Sequence, residues 1–103
     1  MILARVEGSV VATKKHGKIL GNKLLLVRPF TADSPEATAL RAGGSTLVAV
    51  DQIGAGEGEM VLVAQGSSAR LGMSDKDSPV DAVVVGIVDT VDIGKKIVYR
   101  AGG

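Results

Sequence analysis

Residues 51–72, DQIGAGEGEMVLVAQGSSARLG, contain a glycine cluster that either cradles a phosphate or joins two strands. A dinucleotide-binding loop needs a third glycine where Glu59 stands, and a Walker loop needs a Gly-Lys-Ser/Thr that is absent. The run that follows, residues 59–65, has the pattern of a strand and not of the helix that both loops require. Glu57 and Glu59 would also repel phosphate. We therefore expect a tight connection in which glycines supply positive φ angles, or one in which backbones approach closely around a symmetry axis.

Around this stretch the chain alternates short β-rich runs with glycine-containing turns. The predicted strands comprise residues 2–7 continuing through 9–12 after a bend at Gly8, 23–28 ending at Pro29, 45–50, 59–65, 80–93 with a bend at Gly86, and 95–100. Five or six short strands with regular turns predict an all-β fold, either a small antiparallel barrel or a sandwich. No repeat or linker divides residues 1–103, so a single domain is expected.

Helix signals are confined to two short segments. Ser34-Pro35-Glu36 resembles a helix start and predicts one or two turns, although a plain loop is nearly as well supported. Residues 66–72 suit one short helical turn capped by Ser67 or Ser68. That turn either binds an anion or, as we favour, only caps itself, with Arg70 paired to a carboxylate of the same or another subunit.

Composition restricts the function classes. The chain has 46% hydrophobic residues, no cysteine and a formal net charge of +1. So many apolar residues in so small a domain favour a subunit interface over the alternative of a core rich in small residues. The charge gives no strong attraction for nucleic acid or an anionic membrane. No apolar run is long enough to span a bilayer, and no signal peptide is evident, so a cytosolic protein is expected.

No constellation of catalytic or metal-binding residues is complete. His16 is the sole histidine and cannot form a typical zinc site without cysteines. Asp75 and Asp77 fall in a predicted loop, whereas Asp81 and Asp89 are spaced to share a strand face. An acid–base pair or a magnesium site at these carboxylates is an open alternative, and solvated or interface carboxylates are favoured. We expect no cofactor, no metal and no catalytic residue.

A second alternative is a small barrel that binds single-stranded nucleic acid, because barrels of the oligonucleotide-binding type share this strand pattern. Such proteins combine aromatic stacking platforms with a basic groove. This chain has only Phe30, Tyr99 and no tryptophan. Both requirements are poorly met.

Four segments together resemble a known family. They are MILARVEGSVVAT at the start, KLLLVRP, VAVDQIGAGEGEMVLVAQGSSAR and PVDAVVVGIVDTVDI, in this order. They are similar to the bacterial microcompartment vertex proteins of the EutN/CcmL type. The resemblance implies a five-stranded, oligonucleotide-fold-like barrel that assembles as a cyclic pentamer. Such pentamers cap the fivefold vertices of a carboxysome or metabolosome shell otherwise tiled by hexamers, and they are not enzymes.

The resemblance also implies site residues and partners. Gly54, Ala55, Gly56 and Glu57 are expected near the fivefold axis, where a narrow pore lies. Ser67, Ser68 and Arg70 are expected at the subunit interface. The implied partners are four further copies of the chain and hexameric shell proteins, with neither nucleic acid nor membrane, and the implied location is the microcompartment shell in the bacterial cytoplasm.

Overall fold

A closed five-stranded barrel forms the body of the protein, and a two-stranded hairpin follows it. The computed structural model describes residues 1–13, 23–66 and 81–102. The strands are β1 Ile2–Val10, β2 Lys23–Thr31, β3 Arg41–Ala42, β4 Leu47–Asp51, β5 Met60–Gln65, β6 Ala82–Ile87, β7 Thr90–Ile93 and β8 Lys96–Arg100. The described residues include no helix, and hence none long and apolar enough to cross a membrane.

The barrel closes because β1 pairs with both β2 and β5. The order around it is β1-β5-β6-β4-β2 and back to β1, with the short strand β3 added beside β2. Every barrel pairing is antiparallel except that of β4 with β6. This is a Greek-key barrel of the oligonucleotide-binding type, as predicted. The predicted bend at Gly8 is confirmed as a register shift between Val6 and Gly8.

Alternation along the strands fills the barrel interior with small and β-branched side chains. Successive residues of a strand point to opposite faces, so one residue in two enters the core. The main core cluster consists of buried residues, namely Ala4, Val6, Leu25, Val27, Ala49, Ala55, Val61, Val63, Ala82 and Val84. A smaller cluster of Leu24, Val50 and Val83 is formed by residues that lie opposite one another in register. This accounts for part of the high apolar content.

Two predicted strand ends differ from the structure. Strand β2 does not stop at Pro29 but continues to Thr31. The carbonyl of Pro29 accepts a hydrogen bond from the Gly43 amide at 2.8 Å. The N–H and C=O of one strand residue point to the same side, so the nitrogen of Pro29, which has no hydrogen, also faces the segment between β3 and β4. Proline is tolerated there because no ladder hydrogen bond is lost.

The long apolar run after residue 80 also divides differently from the prediction. It forms β6 and β7 with a break at residues 88–89, and Gly86 lies within β6. Gly86 lies beside a register shift in the β5–β6 pairing. The Ser34-Pro35-Glu36 signal yields a single turn, closed by a 3.1 Å hydrogen bond from the Ala37 amide to the Ser34 carbonyl. The helical turn predicted at residues 66–72 lies outside the described residues, apart from Gly66.

Candidate functional site: the glycine-rich turn

The connection between β4 and β5, residues 51–59, is hereafter called the glycine-rich turn. It begins at Asp51, a carboxylate that is only 4% exposed. Its Oδ1 accepts hydrogen bonds from the amides of Ile53 at 2.9 Å and Gly54 at 3.2 Å, and its Oδ2 accepts one from Ala55 at 2.8 Å. One buried carboxylate thus holds three consecutive backbone N–H groups. Asp is suited to this position because its short side chain readily binds amides just after it in the chain.

The second half of the turn is held by Glu59. Its Oε1 accepts a hydrogen bond from the Gly56 amide at 2.5 Å, and the Glu59 amide donates to the Gly56 carbonyl at 3.1 Å. A Cβ on Gly56 would lie 3.2 Å from that Oε1, so a side chain there would push the carboxylate away. Gly54 and Gly58 have φ angles of 87° and 88°, which only glycine adopts at little cost. The glycines are therefore required by the turn itself.

The turn is fastened to the barrel at three points. The side chain of Ala55 is fully buried in the core cluster. Lys23 donates a hydrogen bond from Nζ to the Ala55 carbonyl at 3.2 Å. The amide of Gly58 donates to the Val6 carbonyl at 2.8 Å, which prolongs the contact between this connection and β1. The turn thus closes one end of the barrel.

This geometry answers the phosphate question. A phosphate-binding loop works because several backbone N–H groups point at the anion with no other partner. Here the amides of residues 53–56 already donate to carboxylates of the chain, and these carboxylates add negative charge. An anion would have to displace both Asp51 and Glu59. The glycine-rich turn is a structural closure and not a nucleotide site.

The predicted axial residues are all in this turn, but they differ in exposure. Gly54 and Glu57 are exposed, Gly56 is half-buried, and the Ala55 side chain faces the core of its own barrel. Glu57 also borders an open cleft of about 240 Å³ with Lys23 and Ser9. Ser67, Ser68 and Arg70 lie outside the described residues. Gly66, just before them, donates its amide to the Asp81 carbonyl at 2.8 Å, which extends the β5–β6 ladder.

The carboxylate alternative finds no support among the described residues. Asp81 and Asp89 are exposed and lie at opposite ends of β6. At about 3.3 Å per residue, this strand separates them by roughly 20 Å, too far for one acid–base pair. Within residues 1–13, 23–66 and 81–102 no group of three or more acidic or histidine side chains is arranged to hold a metal ion. His16, Asp75 and Asp77 lie outside these ranges.

Sequence reasoning missed two sets of polar residues. Asp51 was given no role and Glu59 was considered only as a charge that repels phosphate, although an Asp three residues before a glycine is a known turn signal. It also missed the ion pair between Arg28 and Glu7, with Nε to Oε2 at 2.8 Å. The hydrogen bond from Arg28 lowers the pKa of Glu7 below its ordinary value and raises that of Arg28. Arg28 also donates to the Gly43 carbonyl at 2.9 Å, which links β2 to the strand-free segment after β3.

Comparison with known proteins agrees with this architecture. The family model described as "Ethanolamine utilisation protein EutN/carboxysome" matches residues 1–89. The chain is 50% identical over 91 residues to the microcompartment shell vertex protein PduN of Salmonella typhimurium, covering 88% of this chain and 98% of PduN. The structure of Gloeobacter violaceus CcmL covers all of both chains with a TM-score of 0.86 and 36% identity. That of the pentameric microcompartment shell protein GrpN from Rhodospirillum rubrum has a TM-score of 0.72 and 47% identity, covering 89% of this chain and 96% of GrpN. The chain therefore belongs to the EutN/CcmL family.

Proposed function

We propose that this chain assembles as a homopentamer that closes the fivefold vertices of a bacterial microcompartment shell in the cytoplasm. The observation that carries the proposal is the similarity, along nearly the whole chain, to proteins named as shell vertex proteins. A barrel whose glycine-rich turn is filled by its own carboxylates suits a structural role. The same relatives give no support to the nucleic-acid alternative.

Exposed apolar side chains support assembly. Val48, Ile53, Val85, Ile87 and Ile97 are each between 39% and 47% exposed in the single chain. Four of them lie on strands, where a flat neighbour can cover them. Where such residues lie together on one surface, they are typical of an interaction surface. A closed ring would cover them by heterologous contacts between different patches of adjacent copies.

The proposed ring is a structural element and not an enzyme. Within it, we place the exposed backbone of Gly54, the backbone of Gly56 and the side chain of Glu57 near the fivefold axis. Ala55 belongs to the same turn, but its side chain supports the barrel core and not a pore wall. Ser67, Ser68 and Arg70 are proposed to contact the adjacent subunit. Residues 1–103 form one vertex domain, and hexameric shell proteins are its proposed neighbours.

Native mass spectrometry of the purified chain at several salt concentrations tests the ring. A stable species of five chains is expected, and its co-expression with hexameric shell proteins is expected to give closed polyhedral particles with the pentamer at the vertices. A monomer or dimer at micromolar concentration would contradict the proposal. Pentamers that never join hexamer-bearing shells would contradict the vertex role alone.

A cysteine experiment tests the axial placement. The chain has no cysteine, so a single introduced thiol is unambiguous. In a closed ring a residue meets its own symmetry copies only near the axis. Glu57→Cys is therefore expected to give covalent dimers under mild oxidation of the pentamer. Val11→Cys is the control, because Val11 is 92% exposed and belongs to a different segment. Equal dimer yields from both variants, or none from Glu57→Cys, would place Glu57 away from the axis.

A further inference from the structure

The hairpin formed by β7 and β8 lacks a core of its own. The two strands form a separate sheet, in which they pair only with each other. Val91, Ile93, Val98 and Tyr99 are only half-buried, and Ile97 is 46% exposed. Isolated two-stranded hairpins are at best marginally stable in water. The hairpin therefore needs a covering surface beyond its own strands.

The outer face of the hairpin carries an apolar and an acidic side chain near the tip, and Thr90 paired with Arg100 at the other end. A register shift makes Ile97 pair with Asp92, whereas Val91 pairs with Tyr99. Adjacent residues of a strand point to opposite faces, so Ile97 and Asp92 lie on the face away from Val91 and Tyr99. Both are exposed. Asp92 makes no ion pair within the described part of the chain.

A complementary surface lies on the outside of the barrel. Phe30, Leu3, Leu62 and Gly86 follow one another in register across β2, β1, β5 and β6. They point outward, because their strand neighbours Ala4 and Val61 belong to the core. The three side chains are half-buried. We call Leu3, Phe30, Leu62 and Gly86 the outer apolar band.

The band has a cation at its side. The guanidinium of Arg5 lies 4.9 Å from the centre of the Phe30 ring. Arg5 is on the same outer face as Leu3, two residues along β1. Like Asp92, it makes no ion pair within the described residues. The hairpin thus presents an apolar residue beside a carboxylate, and the barrel presents apolar residues beside a guanidinium.

We propose that the outer face of the hairpin docks on the outer apolar band of the adjacent copy in the ring, with Asp92 facing Arg5 and Ile97 on the band. This proposal rests on the proposed pentamer. Two different, complementary patches on one chain are what a closed cyclic assembly requires. The family model ends at residue 89, just before β7. The hairpin therefore lies outside the part of the chain that the family model matches, and in this proposal it adds a second contact to the ring.

A charge exchange tests the docking in the full-length chain. Asp92→Arg and Arg5→Asp each place like charges face to face, and the double variant restores an opposite pair. Each single variant is expected to raise the concentration at which half of the rings dissociate by about tenfold or more, and the double variant to return it most of the way. Mass photometry over a dilution series measures this. Asp33→Arg, a reversal of another exposed carboxylate, is the control and is expected to have little effect.

A second readout covers the apolar contact. A thiol introduced by Ile97→Cys is expected to resist alkylation in the ring and to react at low concentration, where the ring dissociates. A thiol at position 11, from Val11→Cys, is expected to react equally in both states. Three results with an intact wild-type pentamer would overturn the docking alone. They are single variants that dissociate at the same concentration as wild type, a double variant that dissociates as easily as the single variants, and a thiol at position 97 that reacts freely in the ring. A wild-type chain that does not form pentamers would overturn the proposed function as well.

Discussion

The glycine-rich turn and the β7–β8 hairpin differ in how far a single chain covers their polar backbone groups and apolar side chains. In the turn, carboxylates of Asp51 and Glu59 hold four successive amides, and Ala55 is enclosed by its own barrel. In the hairpin, apolar side chains remain half-exposed and the tip contains Lys95 at a φ of 71°. The turn, whose amides and apolar side chain are covered within the chain, therefore closes the barrel. The hairpin, whose apolar side chains are only partly covered, is expected to contact a partner.

Removal of the Asp51 carboxylate is expected to destabilise the glycine-rich turn more than any other substitution considered. Asp51→Ala leaves three amides without their acceptor, one of them in the buried hydrogen bond of Ala55. Because unpaired buried donors keep their full desolvation cost, we expect a loss of about 3 kcal/mol or more in the free energy of unfolding. Urea denaturation measures it. Asp33→Ala, which removes an exposed ion pair, should cost less than about 1 kcal/mol. Equal losses would show that the three hydrogen bonds contribute little.

A substitution at Gly58 tests the effect of backbone geometry in the same turn without removing a side-chain hydrogen bond. A Cβ at Gly58 would have nothing within 4 Å, so the strain of Gly58→Ala comes only from its φ of 88°. We expect a loss of about 1 kcal/mol, again by urea denaturation. Gly44 is also open to a Cβ but has no positive φ, so Gly44→Ala is the matched control and should be neutral or slightly stabilising. A neutral Gly58→Ala would mean that the turn adapts.

The positive φ of Lys95 allows a test of backbone strain in the β7–β8 hairpin. Gly94 and Lys95 both have positive φ, which is the pattern of a type I′ hairpin turn, where Asn and Gly are preferred. Lys95→Asn should relieve strain and slow the hydrogen exchange of the hairpin amides by roughly twofold to fivefold. Lys96→Asn is the control, since Lys96 does not have a positive φ. Faster exchange in Lys95→Asn would show that the lysine side chain itself holds the hairpin.

The smallest effect is expected at the exposed Glu7–Arg28 pair. The hydrogen bond from Arg28 holds the pKa of Glu7 below its ordinary value of 4.5. A carboxyl with a lowered folded-state pKa stabilises the fold above its unfolded pKa and loses this contribution as the pH falls through the folded value. Thermal melts should therefore show wild type slightly more stable than Glu7→Gln at pH 7, with the difference decreasing as the pH falls below the ordinary Glu7 value of 4.5. A difference that does not decrease with falling pH would assign the effect to packing.

Strand alternation and glycine-containing turns are local properties, and they predicted a small all-β barrel or sandwich. The family resemblance narrowed this prediction to a five-stranded barrel. The sequence did not predict that β2 passes through Pro29, since that depends on which side of the strand lacks a partner. The predicted bend at Gly86 coincides with the register shift in the β5–β6 pairing, but the sequence did not predict that the chain leaves the barrel at residues 88–89. Pairing of distant strands determines such points, and local patterns do not record it.

The candidate site shows the same division. The spacing of Gly54, Gly56 and Gly58 was sufficient to reject the nucleotide motifs. The reason that the turn closes on itself, however, is the direction of the Asp51 side chain at the end of β4. The burial of Ala55 was also missed, because a small apolar residue between two glycines gives no sign of which way it points. The two-residue strand β3 has no sequence signal at all.

The hydrogen bond from the Gly66 amide to the Asp81 carbonyl has a consequence for how this fold tolerates change in length. It makes residues 66 and 81 rungs of the same ladder, so the two ends of the intervening stretch are held side by side. The entropy of closing such a loop grows only slowly, by about 0.6 kcal/mol for each doubling of its length. A change in the number of residues between these two rungs therefore adds little closure entropy, and the register of β5 and β6 can stay the same.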